Sequence, residues 1–220
     1  MVALPMLASA TTGWSTPKTL DVGGQLAYFP EVAVSADGMT QTVVWRRDDG
    51  THNRVQVSTS SDHGATWSTV QTLSGAGQHA YLPQVALSTD GLIQTITWWR
   101  FDGANCRVQV VSSADSGATW STVQTLTGAG QDTGLPEVAV SSDGAIRTVT
   151  WWRSDGTHDR VQVSSSSDYG ATWSTPQTLD VGGQTAVSSE VAMSADGTTC
   201  LLYTSPSPRD QRGSRMPSSA

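Results

Sequence analysis

Short runs in which apolar and polar residues alternate recur along the chain, and each run ends at a turn that contains Gly or Asp. In the middle of the chain these runs are residues 84–87, 93–100, 107–112 and 120–126. Alternation with a period of two predicts half-buried strands, and the short turns between the runs predict antiparallel hairpins. The pattern therefore predicts a unit of four consecutive antiparallel strands.

This unit is repeated along the chain. The phrase Ser-x-Asp-x-Gly-x-Thr-Trp occurs at residues 60–67, 113–120 and 166–173, and its Trp recurs every 53 residues. Trp14 stands another 53 residues upstream, although the phrase before it is degenerate. Self-similarity at a period near 50 residues is typical of propeller blades. The candidate structural residues of the three phrases are Ser60, Asp62, Gly64, Thr66, Trp67, Ser113, Asp115, Gly117, Thr119, Trp120, Ser166, Asp168, Gly170, Thr172 and Trp173.

Each fixed residue of the phrase has a part in a tight turn. The Asp carboxylate can accept backbone N–H groups of its own loop, and Gly supplies a positive φ that a side chain would penalise. The Trp follows the turn and packs beneath it. A second repeated tryptophan, at Trp45, Trp98 and Trp151, lies in the second strand of each unit. We expect it to pack between blades rather than to form a platform for stacking sugars.

The phrase resembles the Asp-box, or BNR repeat, of the sialidase-like β-propellers. The resemblance implies an all-β fold, a β-propeller of four-stranded antiparallel blades with a 53-residue period, present here as an incomplete ring. It implies much less about activity, because in that superfamily the box is a folding device that lies away from the catalytic centre.

The repeats also divide the chain. Residues 21–198 carry the blades with the three Asp-boxes, and residues 1–20 match the end of an upstream or closing blade. After residue 198 the repeat loses register and becomes rich in Ser, Pro and Arg, so we expect residues 199–220 to be a disordered or non-native tail. Closure into a four-bladed ring is the alternative to an open arc. An open arc leaves a blade face uncovered, which favours association through open blade edges.

Composition restricts the partners of the protein. The net charge of −7 and the pI near 4.8 argue against nucleic acid and anionic membranes. The sequence contains no apolar run long enough to span a bilayer. The two cysteines, Cys106 and Cys200, have no counterparts in the other repeats and give no disulfide or metal signal. We therefore expect no cofactor and no metal.

The order of the strands assigns the candidate ligand site to one face of the propeller. Loops between second and third strands, at residues 48–53, 101–106 and 154–159, lie opposite the Asp-boxes. Arginines that end the second strands and begin the third can pair with the turn aspartates as scaffold, or form equivalent sites between blades. Glutamates at the starts of the first strands line the channel, where they can bind a cation or sugar hydroxyls or remain solvated. The candidate ligand-binding residues are Glu31, Arg47, Asp49, Arg100, Asp102, Glu137, Arg153 and Asp155.

The resemblance also bears on catalysis. Exo-sialidases bind the sugar carboxylate with three arginines and use a Tyr nucleophile assisted by Glu, with an Asp acid/base. They carry an Arg-Ile-Pro motif, and the matching places here read Tyr28-Phe29-Pro30, Tyr81-Leu82-Pro83 and Gly134-Leu135-Pro136. Because the Arg is missing from all three, no catalytic residue can be carried over.

The sequence thus predicts a non-catalytic propeller, extracellular or at the cell surface, that serves as a carbohydrate- or surface-binding scaffold for glycans or cell-surface polymers. The alternative is a fragment of an exo-α-sialidase or related glycoside hydrolase that lacks its catalytic blades. A purely structural role is the third interpretation.

Overall fold

The computed structural model describes residues 16–20, 24, 26–179, 185–198 and 200–206. Within these residues all regular structure is β, and none is helical. The expectations for residues 1–15 and 207–220 lie outside the described residues. Residues 200–206, which belong to the segment expected to be a disordered or non-native tail, form a strand.

The strands form three four-stranded sheets and one hairpin, and within each sheet they follow chain order. Blade 1 contains β1 (Ala27–Val34), β2 (Gln41–Asp48), β3 (Asn53–Ser60) and β4 (Gln71–Thr72). Blade 2 contains β5 (Ala80–Leu87), β6 (Gln94–Phe101), β7 (Cys106–Ser113) and β8 (Gln124–Thr125). Blade 3 contains β9 (Thr133–Val140), β10 (Arg147–Ser154), β11 (Asp159–Ser166) and β12 (Gln177–Thr178). The hairpin pairs β13 (Ala186–Met193) with β14 (Cys200–Pro206). All pairings are antiparallel, which confirms the predicted architecture of the blades.

Two of the second-strand tryptophans, Trp98 and Trp151, fill the space between blades, which confirms the prediction for them. Trp98 is fully buried in a core cluster with Val44 of the preceding blade, and Trp151 is buried with Val108 in the same way. Trp45, the equivalent residue of blade 1, is also buried. Removing a large side chain of this kind from water stabilises the fold by roughly 3 kcal/mol. The hydrophobic core is therefore a set of layers between sheets.

The blades follow one another around a common axis. The first strands are in contact in sequence, β1 with β5, β5 with β9 and β9 with β13. Since each sheet runs in chain order from its first strand outwards, the first strands lie innermost and the short fourth strands lie at the rim. The described blades form an open arc, in agreement with the predicted incomplete ring.

A ladder of backbone hydrogen bonds also joins the blades. The amide of Ala36, in the first turn of blade 1, donates to the carbonyl of Thr89 at 2.9 Å. Thr89 in turn donates to Ser142, and Ser142 to Ala195, each at 2.8 Å. The four residues are spaced by one repeat, so every blade is bonded to the next through the same atoms. These first turns lie on the side of the Asp-boxes, which we call the Asp-box face.

Each first strand contains a bulge near its start. The register shifts between Tyr28 and Glu31 in β1 and between Tyr81 and Gln84 in β5. One residue in each bulge has a positive φ: Phe29 at 51°, Leu82 at 47°, Leu135 at 48° and Ser188 at 57°. Positive φ is strained for bulky residues, and a bulge redirects the neighbouring side chains. The bulges lie on the side of the second-to-third-strand loops, which we call the loop face.

The face of blade 1 that points away from blade 2 is exposed along its first strand. Val32 is 61% and Val34 51% exposed, whereas equivalent positions in the later blades are better covered. Residues 16–20 lie near this face, and Lys18 donates a hydrogen bond to the carbonyl of Ala65. One repeat later, Gln71 of β4 donates to the carbonyl of Gly117 at 2.9 Å. Residues 16–20 thus occupy the place of a fourth strand beside blade 1. Association through the open face stays a prediction.

Candidate functional site

The Asp-box turns are closed networks. In the first box, Asp62 accepts hydrogen bonds from Ser60 Oγ at 2.8 Å, from the Thr66 amide at 2.7 Å and from Thr66 Oγ1 at 2.6 Å. Ser60 Oγ accepts from the Gly64 amide at 2.9 Å. The second and third boxes repeat these bonds around Asp115 and Asp168.

These bonds stabilise the ionised carboxylates. The Thr66 hydroxyl and amide lower the pKa of Asp62 to about 2, and Thr172 does the same for Asp168. The pKa of Asp115 is lowered by Thr119 in the same way. Both oxygens of each of these carboxylates are therefore bonded within the turn. Such closed bonding is typical of a structural turn.

On the loop face, the turn aspartates are also engaged. Asp49 accepts from the amide of Thr51 at 2.9 Å and from that of His52 at 2.7 Å, and these bonds hold its pKa far below the usual range. Asp49 also pairs with Arg54 at 3.3 Å. The same ion pair joins Asp102 to Arg107 at 3.4 Å and Asp155 to Arg160 at 2.8 Å. The structure therefore pairs these three candidate ligands with arginines of the third strands.

The arginines that end the second strands have less uniform surroundings. Arg47 and Arg100 are half-buried, and the charge of Arg100 contributes to lowering the pKa of Asp102 after the amides of Asn105 and Ala104. Arg153 instead lines a cavity of about 280 Å³ between blades 2 and 3. The surroundings of Arg153 thus differ from those of Arg47 and Arg100.

The candidate glutamates come together near the axis. Glu31, Glu137 and Glu190 lie on β1, β9 and β13, and Gln84 takes the equivalent place on β5. Burial raises the pKa of Glu137 to about 7, with further contributions from the charges of Glu31 and Glu190. Among the described residues, no group of three His, Cys, Asp or Glu side chains is arranged to hold a metal ion.

A cluster that sequence reasoning missed lies beside these glutamates at the junction of blades 1 and 2. We call Tyr28, Phe29, Arg46, Tyr81 and Trp99 the aromatic cluster. The Tyr81 ring stacks on Trp99 with 4.3 Å between centroids. The guanidinium carbon of Arg46 lies 4.5 Å from the centroid of Tyr28, 4.9 Å from that of Phe29 and 5.4 Å from that of Tyr81. Such distances are in the range of favourable cation–π contacts.

The cluster is partly exposed and continues into a row of rings. Tyr28 is 38% and Phe29 50% exposed. His79 stacks against Tyr81 at 5.8 Å, and His52 lies 5.1 Å from His79. Exposed aromatic faces next to polar groups on a loop face are typical of ligand-binding surfaces.

The cluster differs between blades that are otherwise alike. Its inner-strand position is Tyr28, Tyr81 and then Gly134, and its second-strand position is Arg46, Trp99 and then Trp152. In blade 3 a Cβ on Gly134 would lie only 2.9 Å from Trp152 Nε1, so the indole fills the place of the missing ring. The sequence signal that could have predicted this cluster is the residue after each buried second-strand tryptophan, which varies between blades while the tryptophan does not.

Comparisons with solved structures agree with the fold of the blades. The Hadza microbial sialidase Hz136 is 14% identical to the chain, with a TM-score of 0.62, 82% of this chain covered and 42% of that one. A leech intramolecular trans-sialidase is 10% identical, with a TM-score of 0.61, 88% of this chain covered and 50% of that one. A polysaccharide lyase of family PL25, an ulvan lyase, is 10% identical, with a TM-score of 0.59, 81% of this chain covered and 49% of that one.

The fold is therefore that of a sialidase-like β-propeller, and the chain spans half or less of the length of these three structures. The model of the BNR repeat-like domain family matches residues 19–215. The chain belongs to the BNR repeat-like domain family. No curated protein matches it significantly. Among the described residues there is no helix long and apolar enough to cross a membrane.

Proposed function

We propose that the protein is a non-catalytic carbohydrate-binding propeller that acts outside the cell or at its surface. The observation that carries this proposal is the aromatic cluster, which presents exposed rings and an arginine on the loop face. Glycans and cell-surface polymers are the partners that fit it. The sialidases and the lyase that share the fold are named for activities on sugars, which supports the same class of ligand.

The chemistry of the cluster suits a sugar ring. One face of a pyranose presents C–H groups that pack on an aromatic ring, while its hydroxyls need hydrogen-bond partners. Tyr81 and Trp99 form a stacked pair that is held in one orientation, so little side-chain freedom is lost when a ligand binds. The Arg46 guanidinium beside them supplies donors for hydroxyl groups.

A glycan panel tests the proposal. The wild-type protein is expected to bind a subset of immobilised oligosaccharides, and Trp99→Ala is expected to weaken binding at least about 10-fold because the stacked ring is lost. The control is Tyr169→Ser, since Tyr169 is 52% exposed on the Asp-box face and Ser116 stands at the same place in blade 2. A flat response to every glycan, or equal losses in both variants, contradicts the proposal.

A second candidate is a piece of an exo-α-sialidase or related glycoside hydrolase. It is favoured by Glu137, whose pKa of about 7 suits a general acid at neutral pH. The approach of Glu31 and Glu190 supplies other carboxylates near the same axis.

Turnover of fluorogenic glycosides separates the two candidates. If the chain is catalytic, wild-type protein releases the fluorophore from a sialoside or another glycoside, and Glu137→Gln removes the activity while leaving the fold intact. A rate equal to that of buffer on the whole set of glycosides rules out catalysis by this chain alone, and the same result with the full-length gene product rejects the second candidate. Robust turnover lost in Glu137→Gln rejects the non-catalytic proposal.

A further inference from the structure

The cavity between blades 2 and 3 differs from the aromatic cluster in position and chemistry. Its volume is about 280 Å³, near the lower end for ligand pockets, which fits one sugar unit rather than a folded chain. It lies towards the rim, because its walls include the connector after β8 and the segment before β12. The lining residues are Thr127, Gly128, Ala129, Gln131, Thr133, Arg153, Gln162 and Pro176.

Most polar side chains of this lining are already engaged. Thr127 Oγ1 accepts from Arg107 and from the amide of Val108, and Thr133 Oγ1 donates to the carbonyl of Cys106 at 3.0 Å. Both ends of the Gln162 amide are bonded, to Trp151 at 3.2 Å and to Thr178 at 3.1 Å. These groups shape the cavity but leave few donors for a ligand.

Arg153 and Gln131 are the exceptions. Within the described part of the chain, neither the Arg153 guanidinium nor the Gln131 amide has a hydrogen-bond partner or an ion pair. The two carboxylates that lie nearby in sequence bond to other groups. Asp155 pairs with Arg160 at 2.8 Å, and Asp132 accepts a hydrogen bond from the Cys106 amide at 2.9 Å. A guanidinium fork and an amide are therefore available at the cavity wall.

The equivalent place in blade 2 is only partly satisfied. There Gln78, the counterpart of Gln131, donates to the carbonyl of Asp102 at 3.3 Å. Arg100, the counterpart of Arg153, has a buried Nε without a hydrogen-bond partner among the described residues. The blade 3 copy differs because its glutamine amide is unbonded in the described ranges and because its arginine lines the cavity together with that amide.

We propose that this cavity binds a carboxylated sugar unit, a hexuronate within an acidic polysaccharide, with Arg153 holding the carboxylate and Gln131 a ring hydroxyl. A guanidinium binds a carboxylate through two parallel hydrogen bonds, and no neutral sugar group matches that geometry. The apolar ring of Pro176 lies on the same wall and can meet the C–H face of the sugar. The inference extends the proposed function to a second site that is independent of the aromatic cluster.

The test compares methyl β-glucuronide with methyl β-glucoside, which lacks the carboxylate. NMR titration of the wild-type protein is expected to show the glucuronide binding at least about 10-fold more tightly than the glucoside, with shifts at the Arg153 Nε–H and the Gln131 amide. Arg153→Gln is expected to remove that preference, and Gln131→Ala to weaken the glucuronide without removing its advantage. The matched control is Arg147→Gln, the same substitution at a buried position of the same blade, which is expected to bind like the wild type.

Equal affinity for the two glycosides, no saturable binding of the glucuronide, or an Arg153→Gln variant that keeps the preference overturns the inference. Thermal unfolding of each variant shows that it is folded before it is titrated. The two proposals fail separately: glucuronide shifts at Arg153 with a flat glycan panel leave this site standing without the aromatic cluster. Shifts confined to the Trp99 indole N–H reject this site and support the cluster.

Discussion

The Asp-box face and the loop face are built by the same repeat, yet equivalent positions are more alike on the Asp-box face than on the loop face. On the Asp-box face, Asp62, Asp115 and Asp168 make the same bonds with the same partners in all three blades. On the loop face, one repeat position is Arg46 in blade 1 and Trp99 in blade 2. Identical surroundings indicate a structural demand that every blade shares. Divergent surroundings in an unchanged frame indicate where a ligand can be recognised.

The largest expected effect contrasts two neighbouring tryptophans. Trp98→Ala is expected to lower the free energy of unfolding by about 3–5 kcal/mol, because it empties a fully buried space between blades. Trp99→Ala is expected to lower it by less than about 2 kcal/mol, because this indole is only half-buried on the loop face. Urea unfolding measures both values. Similar losses in the two variants would show that the loop face is as structural as the core.

A glycine of the second Asp-box gives the next effect. Gly117 has a φ of 81°, and a Cβ there would lie 2.6 Å from Thr59 Oγ1 of the preceding blade. Gly117→Ala is expected to destabilise the protein by about 3 kcal/mol through strain and overlap. Gly103→Ala is the control, since Gly103 has a φ of 102° with nothing within 4 Å of a Cβ, and about 1 kcal/mol is expected. Equal losses would mean that contact between blades is not what requires Gly117.

Arg147 breaks the uniformity of the Asp-box face. Its place is taken by Gln94 in blade 2, whose Oε1 accepts from Thr42 Oγ1 at 2.9 Å. Arginine has no acceptor, and the corresponding hydroxyl, Thr95 Oγ1, is buried without a hydrogen-bond partner among the described residues. Burial also lowers the pKa of Arg147 to about 10, which reflects a buried charge.

Arg147→Gln is therefore expected to raise the free energy of unfolding by about 1–2 kcal/mol, because it removes the buried charge and gives Thr95 an acceptor. Urea unfolding is again the measurement. Arg147→Met removes the charge without supplying an acceptor, and a smaller gain is expected from it. If Met stabilises as much as Gln, the Thr95 hydroxyl makes no contribution, and a loss of stability in both variants refutes the argument.

The smallest effect concerns pH and the loop face. Burial raises the pKa of Glu137 from 4.5 to about 7, so the folded state holds its proton more tightly than the unfolded state does. The stability that this proton contributes is complete below pH 4.5 and is lost as the pH rises through 7.

Glu137→Gln is expected to match the wild type at pH 4 and to exceed it at pH 8 by on the order of 1 kcal/mol, after allowance for screening by solvent. Protonation of the Asp-box carboxylates, whose pKa values are lowered, reduces the stability of both proteins equally as the pH falls towards 2. The difference in free energy of unfolding between the two proteins therefore reports on Glu137 alone. Thermal unfolding across this pH range measures that difference. A constant difference at all pH values would show that Glu137 titrates normally.

The sequence was sufficient for the fold because the fold depends on residues that repeat. The spacing of Trp45, Trp98 and Trp151 predicted their common position, and the structure buries all three, with Trp98 and Trp151 between blades. The alternation of apolar and polar residues predicted the four strands of each blade. Both signals are local in sequence, and their recurrence every 53 residues makes each prediction more certain.

The candidate site was harder to predict because it depends on contacts between blades. The contacts of Tyr28 and Tyr81 follow from bulges in which Phe29 and Leu82 have a positive φ. A bulky residue before Pro in the sequence does not predict such a bulge. The raised pKa of Glu137 results from strands that are distant in sequence. Nothing local distinguishes the site at Arg153 from its repeats, since similar residues surround each copy.

The ladder from Ala36 through Thr89 and Ser142 to Ala195 runs in one direction, with each amide pointing to the next carbonyl. Successive blades therefore meet through interchangeable joints. Deleting or duplicating a segment of 53 residues in register brings together the same donor and the same acceptor, so the length of the array can change in steps of one blade. Duplication or loss of one repeat in the gene can thus lengthen or shorten such a protein without any new kind of contact between blades. The side chains on the loop face of each copy can then diverge independently.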